Sequence, residues 1–336
     1  MNVWELLLLP GLDETLARVE EALREAVASP EPLLSEVASH LVGAGGKRLR
    51  PALLVAAAAA TGAAASSAVI EGAVSVELVH MGSLYHDDVI DEAGSRRGVT
   101  SANARWGNLM AILTGDFLLA RASEIAARLG TEVVHVLATT IGRLCEGEMA
   151  QLRYAFSLER PEPSYFDSIS KKTASLMWAS ARIGGVVAGA GPEDVESLGS
   201  FGQAFGMAYQ IYDDLRDLLC TDAELGKPAG NDILEGTYTL PVIRALADPE
   251  SGPELASLLG GNLGPPELDK ARAIIVSSGS VASSLAEGRR WAAQSARSLR
   301  EMAPPSASAD PGAVLAVRET LARLADRLLD DLPGAT

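Results

Sequence analysis

The chain reads as all-α. Apolar residues recur at steps of three or four along most segments, and no stretch alternates with period two between turn residues. Aromatic residues make up only 4% of a chain whose commonest residue is alanine, a composition suited to close helix packing.

The elements follow in order. Leu12, Leu16, Val19 and Leu23 place an apolar stripe on a first helix, which Ser29-Pro30-Glu31-Pro32 ends. Gly43-Ala44-Gly45-Gly46 forms the next break, and Pro51 opens a helix because its missing N–H is not needed there. Residues 51–70 are expected to form one Ala-rich core helix rather than a membrane span, since Thr, Gly and Ser interrupt the apolar run. Further boundaries fall at Gly94 to Gly98, Pro161-Glu162-Pro163, Gly191-Pro192, Gly226 to Gly230, Gly260 to Pro266 and Pro304 to Gly312. Val314, Val317, Leu321, Leu324 and Leu328 mark a last amphipathic helix. No break has the length or polarity of a linker, so a single domain over 1–336 is expected, with C-terminal helices over about 267–332.

The 336 residues carry 28 Lys+Arg against 44 Asp+Glu, a formal charge of −16. Such an acidic surface argues against nucleic acid and against an anionic membrane as partners. Cys145 and Cys220 are too few for a disulfide framework and read as buried apolar side chains in a reducing, cytoplasmic setting. Residues 1–5 lack the basic start of a signal peptide, and no integral membrane segment is expected.

Two short clusters carry the chemistry. In Tyr85-His86-Asp87-Asp88-Val89-Ile90-Asp91, helical spacing puts Asp87 and Asp91 on one face beside Asp88. Gln210-Ile211-Tyr212-Asp213-Asp214-Leu215-Arg216-Asp217 repeats the pattern. Carboxylates this close repel one another, and a hard divalent cation bridging to phosphate oxygens relieves that repulsion. Cations stand at the matching places: Lys47 and Arg50 around a Gly-rich loop, Arg96 and Arg97 on a turn, Lys171 and Lys172, and Lys227. Together they point to Mg²⁺ and a phosphorylated substrate.

Over residues 40–243 these motifs resemble the trans-polyprenyl diphosphate synthases. The resemblance rests on Gly-Gly-Lys-Arg-Leu-Arg-Pro at 45–51, the first cluster with Arg-Arg-Gly at 96–98, and Lys-Thr-Ala at 172–174. It continues through Gly-Met-Ala-Tyr-Gln and the second cluster at 206–217, Gly-Lys-Pro-Ala-Gly-Asn-Asp at 226–232 and Glu-Gly-Thr-Tyr-Thr-Leu-Pro at 235–241. It implies a single antiparallel helical bundle around a deep apolar cavity, assembled as a homodimer. It also implies isopentenyl diphosphate and an allylic diphosphate as substrates and three Mg²⁺ ions per site. Asp87, Asp88 and Asp91 would bind two ions, and Asp213, with Asp214 and Asp217, the third. Arg96, Lys172 and Lys227 would hold the allylic diphosphate, and Lys47, Arg50, His80 and Arg97 the isopentenyl diphosphate. Thr173 and Gln210 would sit near the reacting carbons. One departure stands out: Thr237 occupies a position where the family often has Lys.

Gly82 and Ser83 lie one turn before Asp87, where short-chain members of the family carry bulky residues. Their small size predicts an open floor and a product of about C30 to C50, the cavity shape setting the length. If Phe117 or Met110 closes the cavity deeper down, the product is geranylgeranyl diphosphate. A terpene cyclase would lack the second Asp-rich cluster, and a noncatalytic partner subunit would have lost its aspartates. His86 reads as a residue behind Asp87, His135 as an ordinary helix residue, and Glu148 and Gln151 as cavity-facing.

Overall fold

The computed structural model describes residues 7, 9–225, 229–261, 263–305 and 310–333. Lys227 lies outside the described residues, as do residues 1–5, read above for a signal sequence. The fold is all-α, as expected. Its helices are α1 (Leu12–Ala26), α2 (Pro32–Gly43), α3 (Leu49–Ala59), α4 (Ser67–Ile90), α5 (Ala102–Trp106), α6 (Asn108–Leu129), α7 (Thr131–Leu152), α8 (Glu162–Ile169), α9 (Ser175–Val187) and α10 (Pro192–Leu219). They continue as α11 (Asp222–Leu225), α12 (Asn231–Leu234), α13 (Leu240–Ala247), α14 (Gly252–Leu259), α15 (Pro265–Ser277), α16 (Ser280–Arg300), α17 (Pro311–Ala322) and α18 (Leu324–Asp330). A two-residue antiparallel ladder, β1 (Ser95–Arg96) with β2 (Val99–Thr100), follows α4.

The chain divides into two compact units. The first comprises Met1–Ile141, Leu176–Gly202 and Leu299–Leu321, and the second Gly142–Ser175, Gln203–Ser298 and Ala322–Thr336.

In the first unit α4 is the central element. It is buried nearly all round from Val69 to Gly82 and packs against α1, α3 and α6. Leu12, Leu16, Val19 and Leu23 of α1 are all buried, as their spacing predicts. The apolar run 51–70 is two helices rather than one. Gly62 takes a left-handed conformation (φ +91°) just after α3, and the Ser66 side chain accepts from the Val69 N–H to start α4. The C-terminal pattern is likewise split, at Arg323, into α17 and α18. Gly184 on α9 allows contact with α3: a Cβ there would lie 2.5 Å from the Leu54 carbonyl oxygen.

In the second unit an apolar cluster that includes Leu218, Ile233, Tyr238, Val242, Leu255, Leu268 and Ile275 supports the end of α10 and the helices after it. Arg272 caps α10 by donating to the Leu218 carbonyl at 2.8 and 3.2 Å and to Cys220 O at 3.1 Å. Cys220 is buried as expected, whereas Cys145 is exposed on α7 because the apolar stripe of that helix falls on other positions. Among the described residues no helix is long and apolar enough to cross a membrane.

Gly184→Ala should lower the thermal unfolding midpoint. Overpacking costs about 1–3 kcal/mol, and the backbone oxygen in its way has little room to yield. An unchanged midpoint by differential scanning calorimetry would count against this packing.

Candidate active site

Both Asp-rich clusters occupy the C-terminal turns of long helices, α4 and α10. The negative end of the helix dipole makes this an unfavourable place for carboxylates, by about 0.3–1 kcal/mol each, and the natural remedy is a cation.

In the first unit Asp87 is half-buried, Asp88 fully buried and Asp91 exposed. Arg96 Nε donates to Asp88 Oδ1 at 2.6 Å, while Asp88 Oδ2 is buried with no hydrogen-bond partner. Burial pushes the Asp88 carboxyl upward, against the pull of Arg96. The Asp88 carbonyl accepts from Asn103 Nδ2 and Ala93 N–H, both at 2.9 Å, which fixes the chain as it leaves α4. The hairpin that follows turns on Arg97 (φ +53°) and Gly98 (φ +77°), both left-handed, as a two-residue type I′ turn requires. That turn places Arg96 beside Asp88 and sends Arg97 toward the Gly-rich loop, where it donates to the Gly45 and Leu41 carbonyls. A Cβ on Gly46 would lie 2.7 Å from the Arg97 guanidinium.

Lys47 is exposed and Arg50 half-buried in the first turn of α3. His80 sits two residues before Gly82 on α4. Burial, then Arg50, Arg97, Arg48 and Arg96, push its pKa well down, so its ring is neutral at physiological pH. His86 stands behind the cluster, its Nε2 3.2 Å from Ile112 O and 3.5 Å from Asp116. His135 is exposed on α7.

The second unit holds a continuous hydrogen-bonded chain. Thr173 Oγ1 donates to Gln210 Oε1 at 2.6 Å, Gln210 Nε2 donates to Asp214 Oδ1 at 2.7 Å, and the Tyr165 hydroxyl donates to Asp214 Oδ2 at 2.6 Å. Asp214 is buried, and desolvation raises its pKa to about 7 despite these donors. Asp213 is exposed. Asp217 is buried and accepts from the Asp232 N–H at 3.2 Å, holding the turn that opens α12. Lys171, Lys172 and Thr173 lie on a π-helical turn, Ser170–Ala174, of the kind that concentrates at functional sites. Lys172 Nζ lies 2.5 Å from a Glu148 carboxylate oxygen. Thr237 is half-buried, its N–H bonded to Asp232 O.

The donor set suits a hard cation. It is built of carboxylate oxygens, one of them orphaned on Asp88, and among the described residues no three His, Cys, Asp or Glu side chains form a closed metal cage. Mg²⁺ characteristically takes one or two carboxylates and completes its shell with water and substrate phosphates.

The model of the family described as "Polyprenyl synthetase" matches residues 31–275, across both aspartate helices. The chain belongs to the polyprenyl synthetase family. It is 45% identical over 240 residues to heptaprenyl diphosphate synthase component 2 of Geobacillus stearothermophilus, covering 70% of this chain and 74% of that one. It is 42% identical to the nonaprenyl diphosphate synthase of Mycobacterium tuberculosis, covering 72% of each. Among solved structures, the decaprenyl diphosphate synthase of Rhodobacter capsulatus superposes with a TM-score of 0.85 at 34% identity, covering 96% of this chain and 98% of that one. Polyprenyl synthetase family members of this kind are prenyltransferases, and this chain is an enzyme of that class.

Two contributors have no sequence signal that would single them out within the family motifs. Tyr165 is a lone tyrosine after a Pro-Glu-Pro break, and its role emerges only from its contact with Asp214. Glu148 reads from sequence as cavity-facing, but its charge partner is Lys172.

Because Asp214 carries a raised pKa, it stabilises the fold most when protonated. Its contribution is full below about pH 4 and lost as pH rises through about 7. Above that pH the Tyr165 hydroxyl serves a buried anion. Tyr165→Phe should therefore destabilise the metal-free protein by about 1–3 kcal/mol, and more at pH 8.5 than at pH 5.5. Thermal melts at the two pH values would show it, and an equal loss at both would contradict the assignment.

Proposed function

We propose that the enzyme condenses isopentenyl diphosphate head-to-tail onto an allylic diphosphate, with Mg²⁺, and releases diphosphate. The observation that carries this reading is the pair of Asp-rich helix ends, the first backed by Arg96 and the second by buried hydrogen bonds, in a chain similar to named hepta- and nonaprenyl diphosphate synthases. We take the two units as one functional domain, since each supplies one aspartate cluster and the family match runs through both.

Asp87, Asp88 and Asp91 on one helix, and Asp213, Asp214 and Asp217 on the other, are the metal-holding set. Within it, Asp87, Asp91 and Asp213 reach outward, while Asp88 and Asp214 also fix Arg96 and Gln210. Three Mg²⁺ ions held there would supply Lewis-acid neutralisation of the departing diphosphate. Arg96, Lys172 and Lys227 add positive charge at the allylic diphosphate, and Lys47, Arg50, Arg97 and neutral His80 bind the isopentenyl diphosphate. The allylic C–O bond breaks with its electron pair on the diphosphate, the isopentenyl double bond attacks the carbocation, and the released diphosphate takes the proton. Thr173 and Gln210, locked in their chain, present fixed dipoles beside the reacting carbons. An apolar cavity keeps water from the cation.

For product length we favour about C30 to C50, in line with the names of the relatives, over geranylgeranyl diphosphate; the cavity shape sets the limit. The space beside Gly82 is filled: a Cβ there would lie 3.1 Å from Gly115 O and 3.2 Å from Leu119. Ser83 turns its hydroxyl back to His80 O at 2.8 Å. Phe117 is half-buried, with the Arg121 guanidinium 5.2 Å from its ring centroid, and we assign the floor to Leu119, which stands against Gly82.

A homodimer in the cytoplasm completes the reading. Leu109, Ile112 and Leu113 on α6 are exposed by 70%, 42% and 49%, and we assign this apolar face to contact with a second copy. The protein should sediment at twice the chain mass, and Ile112→Glu with Leu113→Glu should yield monomer. A wild-type monomer would exclude this.

Incubation of the chain alone with Mg²⁺, isopentenyl diphosphate and farnesyl diphosphate, followed by product sizing, tests the reaction. Elongation should disappear with EDTA and fall at least a hundredfold in Asp87→Ala and Asp213→Ala with the helical fold retained, and Leu119→Ala should lengthen the product. Absence of elongation by the chain alone would favour a subunit that needs a partner.

A further inference from the structure

Arg48 lies in the Gly-rich segment between two residues assigned to isopentenyl diphosphate, yet it points the other way. Its backbone is left-handed (φ +44°), and its side chain is buried. A bulky residue persists in that conformation only where its surroundings hold it. Here Arg48 Nη1 donates to Glu77 at 2.9 Å, Nε donates to Glu20, and Nη2 reaches Glu20 at 3.3 Å and the Val42 carbonyl at 3.4 Å. One guanidinium thus joins α1, the end of α2 and α4 to the loop.

Glu77 is the other half of the device. It is 1% exposed, on the buried face of α4, three residues before His80. Arg97 Nη2 also lies 3.9 Å from it, and Arg97 in turn donates to the Gly45 carbonyl. A buried carboxylate is costly unless paired, and two cations of the same subsite meet that need. The left-handed kink at Arg48 leaves Lys47 exposed on one side and starts α3 on the other, one residue before Arg50.

We infer that Glu77 and Arg48 are positioning residues for the isopentenyl diphosphate subsite, setting the loop that carries Lys47 and Arg50 and the height of Arg97. The inference rests on the proposed function. It extends that reading to two residues that touch no substrate and that are reached through α4 rather than through the aspartate clusters. Their contacts run to Glu20, the Val42 carbonyl and Arg97.

The test measures Kd for each diphosphate by isothermal titration calorimetry in the presence of Mg²⁺, alongside KM, in Glu77→Gln and in Glu77→Gln with Arg48→Met. The double variant guards against misfolding, because removing both members of a buried ion pair is often neutral for stability where removing one is not. The expected result is a rise of tenfold or more in Kd and KM for isopentenyl diphosphate, with farnesyl diphosphate values within about twofold, in the double variant at wild-type thermal midpoint. Equal weakening of both diphosphates, or no change in either, would overturn the inference while leaving the proposed function intact. A wild type that binds neither diphosphate would remove both together.

Discussion

Six carboxylates at the C-terminal ends of two long helices are the constraint from which the rest follows. Helix dipoles and mutual repulsion both disfavour them there, and a chain that only had to fold would place lysines or arginines instead. The surrounding structure is organised to tolerate the arrangement. Arg96 is brought in by a tight hairpin, Tyr165 and Gln210 serve Asp214, and the Asp232 N–H caps Asp217. Each device stabilises a buried carboxylate, while Asp91 and Asp213 beside them are exposed. The −16 charge of the chain therefore does not by itself forbid an anionic ligand, because cations such as Arg96 and Arg97 are gathered beside the first aspartate cluster.

The first unit solves a second problem, that of holding cations close to one another. Burial, reinforced by the nearby charges of Arg50, Arg97, Arg48 and Arg96, pushes the pKa of His80 well down. Like charges at such density need a buried counter-charge, and Glu77 supplies it from within α4. Charge organisation in this protein thus runs in both directions, anions steadied by cations at the aspartates and cations steadied by an anion at the Gly-rich loop.

Much of this was legible before any coordinates. Period-3.6 patterning predicted the helical class and the buried stripe of α1, and the duplicated Asp-Asp-x-x-Asp spacing, with the cations around it, carried the resemblance to the family whose model matches residues 31–275. What escaped the sequence depends on contacts between segments distant along the chain. Tyr165 and Asp214 are 49 residues apart and Arg48 and Glu77 29, and no local pattern links them. The break inside 51–70 was hidden because alanine runs are helical on both sides of it, and only the left-handed Gly62 and the Ser66 cap divide them. Cys145 was misplaced for a related reason: composition says how often a residue type is buried, not which face of a helix it occupies.

The contact between Gly82 and Leu119 carries a consequence for how such an enzyme can change over time. Small residue and large residue here form a complementary pair across α4 and α6, with the Gly115 carbonyl as a third wall. A substitution on one helix alone either clashes or opens a void, so single steps in either direction cost stability. Change at these positions would then be easiest by paired exchange across the helix interface, and covariation of the two positions among descendants would be its trace.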